Sequence, residues 1–243
     1  MTPDTETVAE PSAALVREWT ACALVRAATR FLPVPFLDDA VALRATRVAV
    51  SRTLRAHGRT YPATAIEPLY AERGQGLLRR ITAVPRKLLL FPVRKWTRVA
   101  GAVTGVPTDV SRILLVGRAT HRRLALGHLS TTDHRELALE AARLRDAFEA
   151  VVDEMDLRLL GGAVSDALGH VKDLTDAVVG YARERFGSDD AERAAEAGVD
   201  ADPAKPAPVA TGADQVQEAL ERPEVVRLLA EFDRRMDQRL RAS

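Results

Sequence analysis

The run DHRELALEAARLRDAFEAVVDEMDLRL, residues Asp133 to Leu159, decides the fold class. Leu137, Ala141, Leu144, Phe148, Val151, Met155 and Leu159 recur in steps of four and three. At 3.6 residues per turn those steps keep every one of them on one side of a helix for roughly six turns. Asp133 and Glu136 stand at capping-box spacing just ahead of the first apolar position. Gly161-Gly162 is expected to break this helix, and Val164, Leu168, Val171, Leu174, Val178 and Tyr181 mark a partner that stops near Gly187. So short a break predicts an antiparallel hairpin of the two.

Helical spacing continues upstream. Ser12 to Phe31 reads as a helix with Ser12 as N-cap and many small residues that allow close packing. Pro33-Val34-Pro35 ends it, because proline has no N–H to donate and restricts the residue before it. From about Asp39 to His57 the pattern is two-faced: Ala42, Leu43, Thr46, Ala49, Val50, Thr53 and Leu54 on one side, Arg44, Arg47, Arg52 and Arg55 on the other. Gly58 is its natural stop. Thr60 to Val84 reads as two short helices around Gly74-Gln75-Gly76, and Pro85 and Pro92 each suit a first helical turn. Thr108 can cap a helix to about Leu126, with Val110, Ile113, Leu114, Gly117 and Leu124 opposite Arg112, Arg118, Arg122 and Arg123. No segment sustains strand-like alternation. The expected fold is all-α, a multi-helix bundle.

Residues 187–213 are rich in Ala, Asp, Glu, Pro and Gly, carry no large apolar periodicity and read as a disordered linker. Beyond them a C-terminal amphipathic helix, 214–243, starts at Asp214 or is reset by Pro223. Its apolar side holds Val225, Leu228, Leu229, Phe232, Met236 and Leu240. The expected organisation is a disordered N-terminus over 1–11, a helical domain over 12–186, the linker and the final helix. That helix, tethered and with an isolated apolar stripe, is expected to dock on a protein partner or self-associate.

With 243 residues, 47% of them apolar, the chain can bury a real core. One cysteine, Cys22, allows no internal disulfide; no signal-peptide pattern and no apolar run of membrane-spanning length is present. A cytoplasmic location follows, with the inner membrane face as the place of association. The net charge of +1 hides an asymmetry: residues 1–132 hold 20 basic against 9 acidic groups, and the remainder 15 against 25. The two halves attract each other, or the basic half meets an anionic partner, or both. From Arg73 to Thr108 there are eight cations and no acid. Within that stretch Arg79, Arg80, Arg86, Lys87, Arg94, Lys95, Trp96 and Arg98 are the candidate contacts to anionic lipid, since clustered cations beside Trp and Leu suit a membrane interface. Burial of Trp96 in the core is the competing reading. Nucleic-acid binding by the same cations has only their charge in its favour.

Motifs for chemistry are absent: no phosphate loop, HExxH, CxxC, G-x-S-x-G or EF-hand loop occurs, and no cofactor is implied. Cys22 reads as a small buried hydrophobe. Asp166, His170 and Asp173 share a helix face that reads as solvated and acidic, and Glu149, Asp153 and Asp156 point away from the apolar stripe of theirs. His121 falls on an apolar side and reads as a structural histidine. No catalytic or metal-binding residue is assigned, and a polar site between helices is the enzymatic alternative.

The run Phe31-Leu32-Pro33-Val34-Pro35-Phe36-Leu37-Asp38-Asp39, followed by an Arg-faced helix ending at His57-Gly58, resembles the turn and following helix of bacterial helical modules attached to Era-like GTPase domains. A similar turn occurs in EcsC-type proteins. The resemblance covers residues 12–58 and implies an α-helical module with membrane association. This chain has neither a GTPase domain nor a hydrophobic hairpin of spanning length. The expected function is a non-enzymatic scaffold or adaptor, peripherally associated with anionic membrane.

Overall fold

A computed structural model describes residues 8–28, 37–71, 106–186 and 205–242. They form α1 (Ala13–Ala28), α2 (Leu37–Ala56), α3 (Ala63–Tyr70), α4 (Val106–Ala125), α5 (His134–Glu154), α6 (Arg158–Gly169), α7 (Leu174–Phe186), α8 (Ala207–Leu220) and α9 (Pro223–Ala242), with no strand among the described residues. The fold is all-α.

α1 is the hub, packed against α2, α4, α7 and α8. Twelve of its sixteen residues are buried, so it is apolar nearly all round rather than striped. Ser12 Oγ accepts from Leu15 N–H, as an N-cap does. Ala21, Cys22, Ala23, Ala27 and Ala28 are all buried and let neighbouring helices approach. Gly117 on α4 makes the closest approach: a Cβ there would lie 2.5 Å from Trp19 Cε2. The Trp19 indole N–H donates to Thr53 Oγ1 of α2 at 2.8 Å, so one side chain pins three helices.

The helix of the opening run is shorter than its periodicity. Asp133 caps α5, accepting from Arg135 and Glu136 N–H, but Glu136 accepts from Thr131 Oγ1, so the capping box is half formed. The chain leaves α5 at Met155, in extended conformation, and Asp156 Oδ1 accepts from Arg158 N–H as α6 begins. The glycine pair therefore lies inside α6, where a Cβ on Gly161 would sit 3.5 Å from Pro107 of α4. That is ordinary contact, and Gly162 has nothing within 4 Å, so the pair neither ends the helix nor marks an unusually close approach. The expected α5 hairpin is corrected as well: α5 packs on α3 and α9, whereas α6 packs on α4 and α8.

The linker boundary also moves. α8 starts after Pro206, inside the stretch read as linker, with Pro208 in its first turn where a missing N–H costs nothing. Val209, Gly212, Ala213, Val216 and Ala219 form its buried face, too small in volume to register as apolar periodicity. Residues 187–204 of the expected linker lie outside the described residues, as do residues 1–7 of the N-terminus, the proline break at 33–35, the helices expected around Pro85 and Pro92, and most of the run that carries the family resemblance.

α9 begins at Pro223 and packs chiefly on α5, with further contact to α6, α4 and α8. Val225, Leu229, Phe232 and Met236 are buried, Leu228 and Leu240 pack against the same core, and the Phe232 ring meets Phe148 edge-on at 6.2 Å. The reading of this helix as a free, tethered element is thus corrected: its apolar stripe is covered by this chain.

Candidate anion-binding site

Arg47, Ser51 and Arg55 follow one another at intervals of four along α2 and so share a face. The helix closes with His57 N–H donating to Leu54 O and Gly58 N–H to Arg55 O. Gly58 has φ +68°, a region that side-chain-bearing residues rarely adopt, and the chain reverses there. Arg59 N–H then returns to Leu54 O at 2.9 Å, and Tyr61 Oη donates to Leu129 O at 2.6 Å, fixing the turn against the rest of the bundle. The outcome is a pocket of about 300 Å³ whose wall includes Arg47, Arg55 and Arg59 with Ser51, Thr60 and Tyr61. Among the described residues that line it there is no carboxylate, although Arg47 and Arg55 are each engaged in a further polar interaction. Guanidinium groups offer several donors in a fixed plane and match the oxygens of phosphate or carboxylate, so this arrangement suits holding an anion. The arginines at 47 and 55 were legible as a polar face; the reversal that brings Arg59 to them follows from Gly58.

The candidate membrane contacts Arg79, Arg80, Arg86, Lys87, Arg94, Lys95, Trp96 and Arg98 lie outside the described residues. The described residues stop at Ala71, directly after α3 and before that stretch. The basic face of α4 turns inward to the acidic half. Arg112 pairs with Glu149, Arg118 with Asp233 at 2.9 Å, Arg122 with Asp237 at 2.6 Å and Arg123 with Glu140 at 3.9 Å. Arg17 adds a pair with Asp214 at 2.5 Å. Attraction between the halves is therefore realised across α4, α5 and α9.

One arginine departs from the expected polar face altogether. Arg52 is fully buried and paired with the buried Glu18 of α1, which also receives Lys205 from the segment leading into α8. Burial lowers the Arg52 pKa from its ordinary value. α2 is enclosed by α1, α3, α4 and α7, which leaves that side little solvent. A sequence pattern cannot reveal the carboxylate that meets it from another helix.

His121 is buried, as read, but it has a histidine partner. Its Nε2 lies 2.9 Å from Ala9 O, which can only accept, so Nε2 carries the proton. His57 Nε2 lies 2.9 Å from His121 Nδ1, so the two rings share a hydrogen bond. Burial, and then the neighbouring His121, hold the His57 pKa below its usual value. Asp166 and His170 are exposed, and Asp173 falls in a turn at φ +57° rather than on their helix, so the three do not form one face. Glu149 is bound by Arg112 and Arg145, whereas Asp156 serves the start of α6. Cys22 is buried. Among the described residues no group of three His, Cys, Asp or Glu side chains is placed to hold a metal ion, and no helix is long and apolar enough to cross a membrane. Comparison with family models, with curated proteins and with solved structures returns no match.

Proposed function

We propose that this chain is a non-enzymatic helical module that associates peripherally with anionic membrane. The observation that supports the reading is the clustering of Arg47, Arg55 and Arg59 around one pocket, on the helix pair that leads into the basic stretch 79–98. Cations on α4 are paired with acids of the same chain, and the eight cations between Arg73 and Thr108 have no acid among them in sequence. Each Lys or Arg near an anionic leaflet contributes on the order of 1 kcal/mol, so several together give measurable binding. A scaffold or adaptor role fits a protein whose described polar groups are mostly engaged with one another. Its protein partner would meet a surface other than the apolar stripe of α9.

The test is co-sedimentation with phosphatidylglycerol-containing and pure phosphatidylcholine vesicles at low and moderate salt, for the full chain and for Arg47→Glu/Arg55→Glu. Selective binding to the anionic vesicles, weakened by salt and by the double reversal, supports the proposal. Equal binding to both vesicle types, or none at low salt, refutes it. Binding to duplex DNA or RNA of comparable strength and indifferent to lipid would move the reading to nucleic acid.

A further inference from the structure

Helices α1, α4, α8 and α9 leave a second, mostly apolar groove of about 300 Å³ that shares no residue with the arginine-walled pocket. Val16, Trp19, Leu114, Leu220, Val226 and Leu229 are among its walls. Val226 is 49% exposed although it stands on this wall, so the chain leaves apolar surface uncovered there. Arg118 lines the same groove, one turn along α4 from Leu114. Its guanidinium has two faces of contact. Nε and Nη2 meet the Asp233 carboxylate at 2.9–3.1 Å. Nη1 and Nη2 hold the two oxygens of Glu10 at 2.8 and 3.0 Å, a bidentate fork. Glu10 belongs to the short segment before α1, and its side chain is 72% exposed. An arginine edge beside an apolar trough is thus occupied by a solvent-exposed carboxylate of the chain itself.

The geometry points to a binding site for a medium-chain monocarboxylate, whose carboxylate replaces Glu10 on the Nη1/Nη2 edge of Arg118 while its alkyl chain lies along Val226 and Leu229. Charge and size both select this occupant. Asp233 remains on the other edge of Arg118 and Glu221 also lines the groove, so a single negative charge, and not a phosphate dianion, is what the site accepts in place of Glu10. At roughly 30 Å³ per water-sized group the groove holds on the order of ten such groups, which matches a decanoate chain. Pockets of this volume stand at the small end of those that take ligands. The fork already formed by Glu10 shows that the Arg118 edge receives a planar carboxylate without rearrangement. This site stands independently of the membrane proposal.

The experiment titrates decanoate and methyl decanoate, below micelle-forming concentrations, into the full chain carrying Trp96→Phe, so that fluorescence reports Trp19, with calorimetry in parallel. Expected is saturable one-site binding of decanoate, with the neutral ester at least tenfold weaker. Glu10→Gln removes the internal competitor and should tighten decanoate binding threefold or more. Val226→Trp fills the groove from an exposed position and should abolish it, and Ala230→Phe serves where the first variant alters the circular dichroism. No saturable binding in either the parent or Glu10→Gln overturns the inference. So does equal affinity for the ester, or unchanged binding in the filled grooves.

Discussion

Glu18 offers the sharpest perturbation, because one buried carboxylate serves two cations that arrive from different parts of the chain. Its side chain is 3% exposed, that of Arg52 1% and that of Lys205 18%. Glu18→Gln keeps the volume and removes the charge, leaving Arg52 buried without the carboxylate that offsets its lost hydration. Breaking a buried pair in this way costs about 3–5 kcal/mol. For a chain of this size about 2–4 °C of melting temperature accompanies each kcal/mol, so the variant should melt roughly 6–20 °C lower. The assay is calorimetric or circular-dichroism melting at pH 7, alongside Arg52→Met and the double variant Glu18→Leu/Arg52→Met. The double variant should melt above Glu18→Gln, since removing both charges removes the desolvation cost as well. A Glu18→Gln protein that melts within 2 °C of the parent, or a double variant worse than both singles, refutes the reasoning.

Four further outcomes follow, three from the packing and one from the titration of His57. Gly117→Ala forces a Cβ within 2.5 Å of the Trp19 indole; overpacking of this kind costs about 1–3 kcal/mol, partly offset by the better helix propensity of alanine, and should alter the near-ultraviolet tryptophan signal. Gly162→Ala, with nothing within 4 Å, should leave that signal alone and raise the melting temperature slightly. Deleting residues 207–242 removes Val209, Val216, Val225, Phe232 and Met236 from the core. At about 1.5–3 kcal/mol each, these five reach roughly 8–15 kcal/mol, the whole stability of an ordinary domain, so the truncated chain should show no cooperative melt. His57 has its pKa lowered below the ordinary 6.5. A depressed histidine favours the neutral form in the fold, so its contribution is present above pH 6.5 and is lost as the pH falls through the folded pKa. Its imidazole resonances should titrate below pH 6.5, and titration at or above that value would contradict the buried pair.

The parts of the fold written in spacing were legible, and those written in contacts between distant residues were not. Asp133 as a cap, the stop at Gly58 and the start of α9 at Pro223 each follow from a local backbone requirement that one residue type meets. Period alone could not separate α5 from α6, because Met155 and Leu159 keep the apolar rhythm across a break made by an extended residue and a new cap. α8 escaped because its buried face is built of Val, Ala and Gly, which fit against α1 and α6 through smallness instead of bulk. Arg52 was misplaced for a related reason: a helix enclosed on several sides has no solvent face, and its charge is matched by a carboxylate 34 positions away. At the candidate site, Arg47 and Arg55 were visible as a polar stripe, whereas their convergence with Arg59 depends on a reversal that only the three-dimensional chain displays. The charge asymmetry was plain in the sequence, yet which cations face inward depended on α9 lying beside α4.

The proposed function divides the labour of the basic half: α4 binds the acidic half internally, and the stretch 79–98 is proposed to meet an anionic surface. The direct measurement is sedimentation with phosphatidylglycerol vesicles for two charge-reversed variants, each checked by melting. Arg94→Glu/Lys95→Glu/Arg98→Glu should lose vesicle binding at an unchanged melting temperature, and Arg112→Glu/Arg123→Glu should melt lower yet, where folded, bind vesicles like the parent. Vesicle binding that survives the first set and disappears in a folded second set would contradict the account.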